Sequence, residues 1–269
     1  MHPRIAVHGL CGWTAPLDED LAFWANDGID YVSVAMMKLD AAGRRVGIDK
    51  VLAADLRVAH VTVVQAFDLE HPEHWGRQRQ ALSEAVDVAR ELSAERICLT
   101  AGPAGPMLAD EASQAFLEAI APVRAYADEA GVPLGIEHNH FIRRDLSFLN
   151  SLRDAVELGH AENFDVCLEI QNCWPEGHLR RTITEGIDDI KLVQLSDWNR
   201  GDLALPTERA VLGDGDLPLK MIMGWLLEDG YTGPFEIEVV GPRIEEEGYQ
   251  SAVRRSITWL ESALAELGA

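Results

Sequence analysis

Basic residues are scarce in this chain: 23 lysines and arginines face 45 aspartates and glutamates, for a net charge of -22 over 269 residues. A surface of that sign repels phosphate backbones, so binding a nucleic acid would require a concentrated basic stripe. None is present. The densest basic pairs, Arg143-Arg144, Arg180-Arg181 and Arg254-Arg255, stand apart and among acids. Long apolar runs are also missing, and no stretch approaches the roughly 18 residues a membrane span needs. The four cysteines (Cys11, Cys98, Cys167, Cys173) lack CxxC spacing, which points to reduced structural thiols rather than a disulfide framework or a zinc site. The opening Met1-His2-Pro3-Arg4-Ile5 has no basic segment leading into a long apolar one, so no signal peptide is read and a cytoplasmic location is expected.

What the chain does have is an alternation of short apolar runs with longer amphipathic stretches. The apolar runs are Ile5–His8, Tyr31–Ala35, Val58–Val64, Arg96–Thr100, Val132–Glu137, Phe164–Ile170, Ile190–Leu195 and Phe235–Val240. They are short and rich in Val, Ile and Leu, as suits parallel strands covered on both faces. Between them, Trp75 to Leu92 and Glu111 to Ala130 place apolar residues at three- and four-residue spacing, the mark of helices with one buried face. Gly28, Gly131, Gly159 and Gly230 are read as helix stops, and Ser147 and Thr14 as helix starts. Eight β-α units without a linker predict a single (β/α)8 barrel domain spanning 1–269, since open doubly wound sheets usually stop sooner.

In such a barrel the chemistry lies where strands end and βα loops begin. Strand five ends at Glu137, strand six carries Glu169, strand seven Gln194 and strand eight Glu238. Carboxylates at the ends of buried strands are costly unless paired or metal-bound. Three at equivalent heights would repel one another, and a dication would relieve that repulsion. Glu137, Glu169, Gln194 and Glu238 form an all-oxygen donor set, which suits Mg2+ or Mn2+ better than Zn2+.

From Leu134 to Val240 the chain resembles the sugar-phosphate isomerase/epimerase group of xylose-isomerase-like barrels, which includes tagatose-type epimerases, hydroxypyruvate isomerase and inosose dehydratases. The likeness extends over essentially the full length. It is sharpest in Arg209-Ala-Val-Leu-Gly213-Asp-Gly215-Asp216 and in Glu228-Asp-Gly230-Tyr231-Thr-Gly233-Pro-Phe-Glu-Ile-Glu238. The resemblance implies that Glu137 and Glu238 are metal ligands that also work as base and acid on an enediolate, and that Arg209 binds substrate. Glu169 stands where the group has Asp, Gln194 where it has His (hydroxypyruvate isomerase is similar in this), and Asn172 where epimerases carry a substrate-binding His. These departures point away from ordinary ketohexose epimerisation.

His140 is an additional candidate base. It is preferred to His138, which strand alternation puts on the opposite face from Glu137. Arg200 is a second candidate substrate clamp. Trp13, Trp174 and Trp198 follow strands one, six and seven and offer ring faces to a sugar, while Lys38 and His8 are candidate pocket residues. Gly213-Asp214-Gly215-Asp216 reads as a turn rather than a phosphate cradle. The expected partner is a small carbohydrate-like molecule, with association into homo-oligomers left open. Three functions compete: a metal-dependent isomerase or epimerase, a lyase on the same scaffold, and a catalytically silent ligand-binding barrel.

Overall fold

The computed structural model describes residues 1–201 and 208–269. Eight parallel strands close on themselves in sequence order, each pairing with its neighbours and the last with the first. They are β1 (Ile5–Val7), β2 (Tyr31–Ala35), β3 (Arg57–Val63), β4 (Ile97–Thr100), β5 (Leu134–Glu137), β6 (Asp165–Glu169), β7 (Ile190–Leu195) and β8 (Phe235–Ile237). Helices follow every strand and pack outside the barrel, so the expected (β/α)8 architecture is the observed one. Outward-facing residues such as Ile5, Ile97, Ile136 and Val193 are fully buried against that helical ring. No helix among the described residues is long and apolar enough to cross a membrane.

Several boundaries differ from the sequence reading, each for a local reason. The helix after β5 starts at Leu152, not behind Ser147, because the Ser151 hydroxyl accepts the Asp154 N–H at 3.1 Å and so caps it. Thr14 likewise does not start the first helix, which follows Pro16 and runs Leu17–Asp27. Gly159 does not stop its helix, which continues to Glu162 and ends on Asn163 with φ 59°. Gly159 is instead a contact residue, since a Cβ there would lie 2.7 Å from Val166 Cγ2 on β6. β8 ends at Ile237, three residues short of the expected Val240, and β6 ends at Glu169, where the helix Ile170–Cys173 begins.

Register then decides which polar residues meet inside the barrel. Glu169 is level with Gln194, and Gln194 is level with Glu236. Glu238 lies two residues further along its chain, on the same inward face one pleat higher. The equivalent heights expected of Glu137, Glu169 and Glu238 are therefore corrected: Glu137 is level with Cys167, Glu169 with Gln194, and Glu238 stands one pleat above Glu236.

Candidate active site

At the C-terminal mouth of the barrel lies a cavity of about 570 Å³. Among the residues facing it are Trp13, Thr62, Glu137, His140, Asn172, Arg209 and Glu238. Glu137 is the last residue of β5, and its Oε1 accepts from Asn139 Nδ2 at 3.2 Å. Glu169 closes β6, where its Oε1 accepts the Gln171 N–H at 3.0 Å and the Ser196 hydroxyl at 3.3 Å. Glu238 follows β8 with its backbone N–H on Leu195 O at 2.9 Å.

Arg209 ties Glu169 to Glu238. Its Nη1 lies 3.1 Å from Glu169 Oε2 and 2.9 Å from Glu238 Oε2, and it donates to the Glu238 carbonyl at 2.7 Å. The guanidinium is buried and arrives from a loop that Asp197 organises. The Asp197 carboxylate accepts the N–H groups of Trp198, Gly213, Gly215 and Leu217 at 2.9 to 3.1 Å. Its backbone pairs with Ala210, next to Arg209, in both directions. The Gly213-Asp214-Gly215-Asp216 segment is thus the turn that was read, wrapped around a buried carboxylate.

The electrostatics divide the acids. Burial, then the charges of Glu238 and Glu169, push the Glu137 carboxyl well above the usual range. Burial, only partly offset by Arg209, raises Glu169 to about 7. Glu238 goes the other way: burial opposes its ionisation, but Arg209 and then His8 outweigh it and hold the group below the usual value. Two carboxyls on one cavity therefore favour opposite protonation states, the arrangement that suits an acid and base pair.

The donor set can be judged on its chemistry. Glu169 and Glu238 share a single guanidinium, and the buried Glu238 Oε2, although ion-paired, receives no hydrogen bond. Glu137, Glu169 and Glu238 do not form a ready cage for a divalent cation, because Arg209 already pairs with two of them and their oxygens do not all lie within 4.8 Å of one another. Gln194 does not join them: its Nε2 donates to Glu236 Oε2 at 3.0 Å and its Oε1 accepts from the Cys167 thiol at 3.0 Å. The group among the described residues whose ligating atoms do lie within 4.8 Å of one another is His8, His60 and Glu236, deeper in the barrel. There the His8 Nδ1 already accepts the Leu10 N–H at 3.0 Å, and His60 Nε2 lies 2.9 Å from Glu236 Oε2.

The other candidates fall into two groups. His140 lines the cavity, and burial lowers its pKa, keeping the ring neutral. Asn172 also lines it, with its amide anchored on the His138 carbonyl at 3.1 Å. Trp13 stands half-exposed at the rim. By contrast, Arg200 points into solvent beside Asp216 and is not a clamp on this cavity. Lys38 is a buried structural cation that bonds Asp20 and, at 2.6 Å, the Gly12 carbonyl. Trp174 and Trp198 pack on each other at 6.1 Å, away from the cavity. Neither His60, Thr62 nor Glu236 was singled out from the sequence. Parity was the available signal, because His60 and Thr62 share one face of β3, and Glu236 shares the face of Glu238.

The sequence model of the xylose isomerase-like TIM barrel family matches residues 22–263. No curated protein matches the chain significantly. Among solved structures, protein SMc04130 from Sinorhizobium meliloti 1021 is 21% identical with a TM-score of 0.87, over 97% of this chain and 98% of that one. The IolI protein with a bound zinc atom is 13% identical with a TM-score of 0.86, over 98% and 99%. The 3-keto-D-glucoside 4-epimerase YcjR from E. coli is 14% identical with a TM-score of 0.74, over 95% and 99%.

Proposed function

This chain belongs to the xylose isomerase-like TIM barrel family, and from that premise we propose that it is a carbohydrate isomerase or epimerase acting through proton abstraction beside a carbonyl. The observation that carries this reading is the pair Glu137 and Glu238, which face one cavity with opposed protonation preferences. Ionised Glu238, steadied by Arg209, accepts the C–H proton. Protonated Glu137 supplies a proton to the resulting enediolate. A positioned proton-transfer group is worth about 10²–10⁴-fold. Arg209 and Asn172 orient the oxygens of the substrate, and the exposed ring of Trp13 covers its apolar face.

As they stand, Glu137, Glu169 and Glu238 do not close on one cation position; were they to draw together, oxygen-only chemistry would favour Mn2+ or Mg2+. Such a cation supplies Lewis-acid polarisation of the carbonyl. The lyase reading shares the first proton abstraction and differs by a leaving group beta to the carbanion. Neutral His140 on the same cavity is the residue that would serve it.

The test is turnover of Glu137→Gln and Glu238→Gln with a panel of ketoses and oxidised glycosides, each variant checked for folding by circular dichroism. Loss of at least about 10²-fold in both is expected. Wild-type turnover in either folded variant refutes the pairing. Removing metal with a chelator and restoring it with Mn2+ tests the cation separately.

A further inference from the structure

The end of the barrel opposite the mouth carries a second cavity, of about 410 Å³, a size common among small-molecule sites. It is built where strands begin. Arg4 precedes β1, Tyr31 and Arg57 open β2 and β3, Arg96 precedes β4, Lys191 is the second residue of β7, and Gly233 lies in the turn before β8. In a chain of net charge -22, Arg4, Arg57, Arg96 and Lys191 converge on this one space.

The three guanidiniums are held from behind. Arg4 donates from Nε to Gly233 O at 3.0 Å and from Nη2 to Tyr231 O at 2.9 Å, and it lies over the Phe235 ring at 5.0 Å. Arg57 donates from Nε and Nη2 to Glu95 Oε1 at 2.9 and 2.6 Å and lies over the Tyr31 ring at 3.9 Å. Arg96 donates from Nε to Asp165 Oδ2 at 2.9 Å and from Nη1 to Glu95 Oε2 at 3.3 Å. Each therefore keeps one terminal nitrogen without a hydrogen bond among the described residues: Arg4 Nη1, Arg57 Nη1 and Arg96 Nη2. Forks whose geometry is already fixed lose little freedom on taking an oxyanion.

The local charges do not cancel. Glu95 and Asp165 match Arg57 and Arg96, and Asp229 is taken by Arg180 through both oxygens and by Thr184. Arg4 and Lys191 have no ion pair among the described residues. Burial lowers the Arg4 pKa, as expected of a cation that no carboxylate compensates. Asp188, exposed and unpaired among the described residues, is the charge that opposes an anion here. Two uncompensated cations and three free guanidinium nitrogens suit the dianionic, three-oxygen head of a phosphate ester better than a carboxylate. A polyanion would meet the negative surface as a whole, whereas a compact one stays within about 8 Å, the screening length, of the four cations.

We propose that this cavity binds a small phosphate monoester, at a site separate from the one at the barrel mouth. The free nitrogens of Arg4, Arg57 and Arg96 take the phosphate oxygens, and Lys191 adds its charge. Such a ligand bridges the beginnings of β1, β3, β4 and β7, so its binding stabilises the closed barrel.

Glycerol 3-phosphate is the probe for the full chain, with affinity read by isothermal titration calorimetry and position by amide shifts in nitrogen-15 NMR. Saturable binding at one site is expected, with shifts at Lys191, Thr232 and Gly233. Lys191→Ala should weaken binding about fivefold and Asp188→Asn should tighten it by a similar factor, the scale of one charge at about 4 Å in water. Both side chains are exposed, so neither change threatens the fold. Arg4→Met, checked for folding by circular dichroism, should weaken binding by at least about tenfold. No saturable binding, equal affinity for glycerol, or shifts confined to Asn172 and Gly241 at the mouth overturns the site. So does an affinity that neither Lys191→Ala nor Asp188→Asn changes. Tighter binding of malonate overturns the phosphate assignment.

Discussion

Replacing Arg209 by methionine is the most informative perturbation of the carboxylate cluster. The guanidinium is buried, and its Nη1 lies within 3.1 Å of both Glu169 and Glu238. Breaking a buried ion pair by removing one partner costs about 3–5 kcal/mol, because the remaining charge stays buried and uncompensated. Relief is available from two directions. Glu169, already raised to about 7, becomes protonated near neutral pH at little further cost. Glu238 is held down by Arg209 and must rise before it can do the same, and each unit of that rise is about 1.4 kcal/mol. Urea unfolding followed by circular dichroism at pH 8 is therefore expected to show a loss near about 3–5 kcal/mol. The loss should shrink as pH falls. Mn2+ should restore stability, by about 2.7 kcal/mol at a hundred times its Kd. Arg209→Lys should recover only part of the loss, because an ammonium keeps the charge but not the planar fork. A folded Arg209→Met within about 1 kcal/mol of wild type, unmoved by pH or metal, would refute the idea that this guanidinium compensates the acids.

Lys38→Met should cost about 3–5 kcal/mol at neutral pH, since it strands buried Asp20 without its cation. Burial, only partly offset by Lys38, places Asp20 at about 6, above the ordinary 3.8. The stability this group contributes is complete below about 3.8 and is lost as pH rises through about 6. Losing Lys38 enlarges that swing, so the variant should regain stability on acidification, and a pH-independent deficit in urea titrations would contradict this. Asp197→Ala removes the acceptor of four backbone N–H groups. It should loosen the Arg209 loop, raise KM and speed hydrogen exchange at Gly213 and Gly215; unchanged exchange there argues against the clamp. Trp13→Ala should weaken substrate binding by about 1 kcal/mol, read as a higher KM with kcat retained, and a fall in kcat alone would place the ring elsewhere in the mechanism.

The barrel was legible because eight Val- and Ile-rich runs alternate with amphipathic stretches, and that pattern needs no knowledge of contacts. Glu137, Glu169 and Glu238 were legible for a related reason, since a carboxyl at the end of a buried strand is conspicuous in a string of apolar letters. What escaped was register. A one-dimensional reading set the three carboxyls at one height and put Gln194 in their donor set, whereas hydrogen bonding between β7 and β8 sets Gln194 level with Glu236, and its amide follows. Arg209 was read as a substrate clamp from its place before the glycine-rich turn. Its ion pairs to two acids depend on a loop geometry imposed by Asp197. The His60-Glu236 pair is 176 residues apart in sequence, so only barrel closure joins it. Arg200 and Lys38 show the converse error: proximity to a strand end does not say which way a long side chain turns.

The carboxyl protonation states in metal-free protein test the central claim most directly, by carbon-13 NMR of labelled glutamates assigned with Glu137→Gln and Glu238→Gln. At neutral pH the Glu137 resonance should be that of a protonated carboxyl and the Glu238 resonance that of a carboxylate. Two ionised carboxylates titrating together near the ordinary glutamate value would contradict the account.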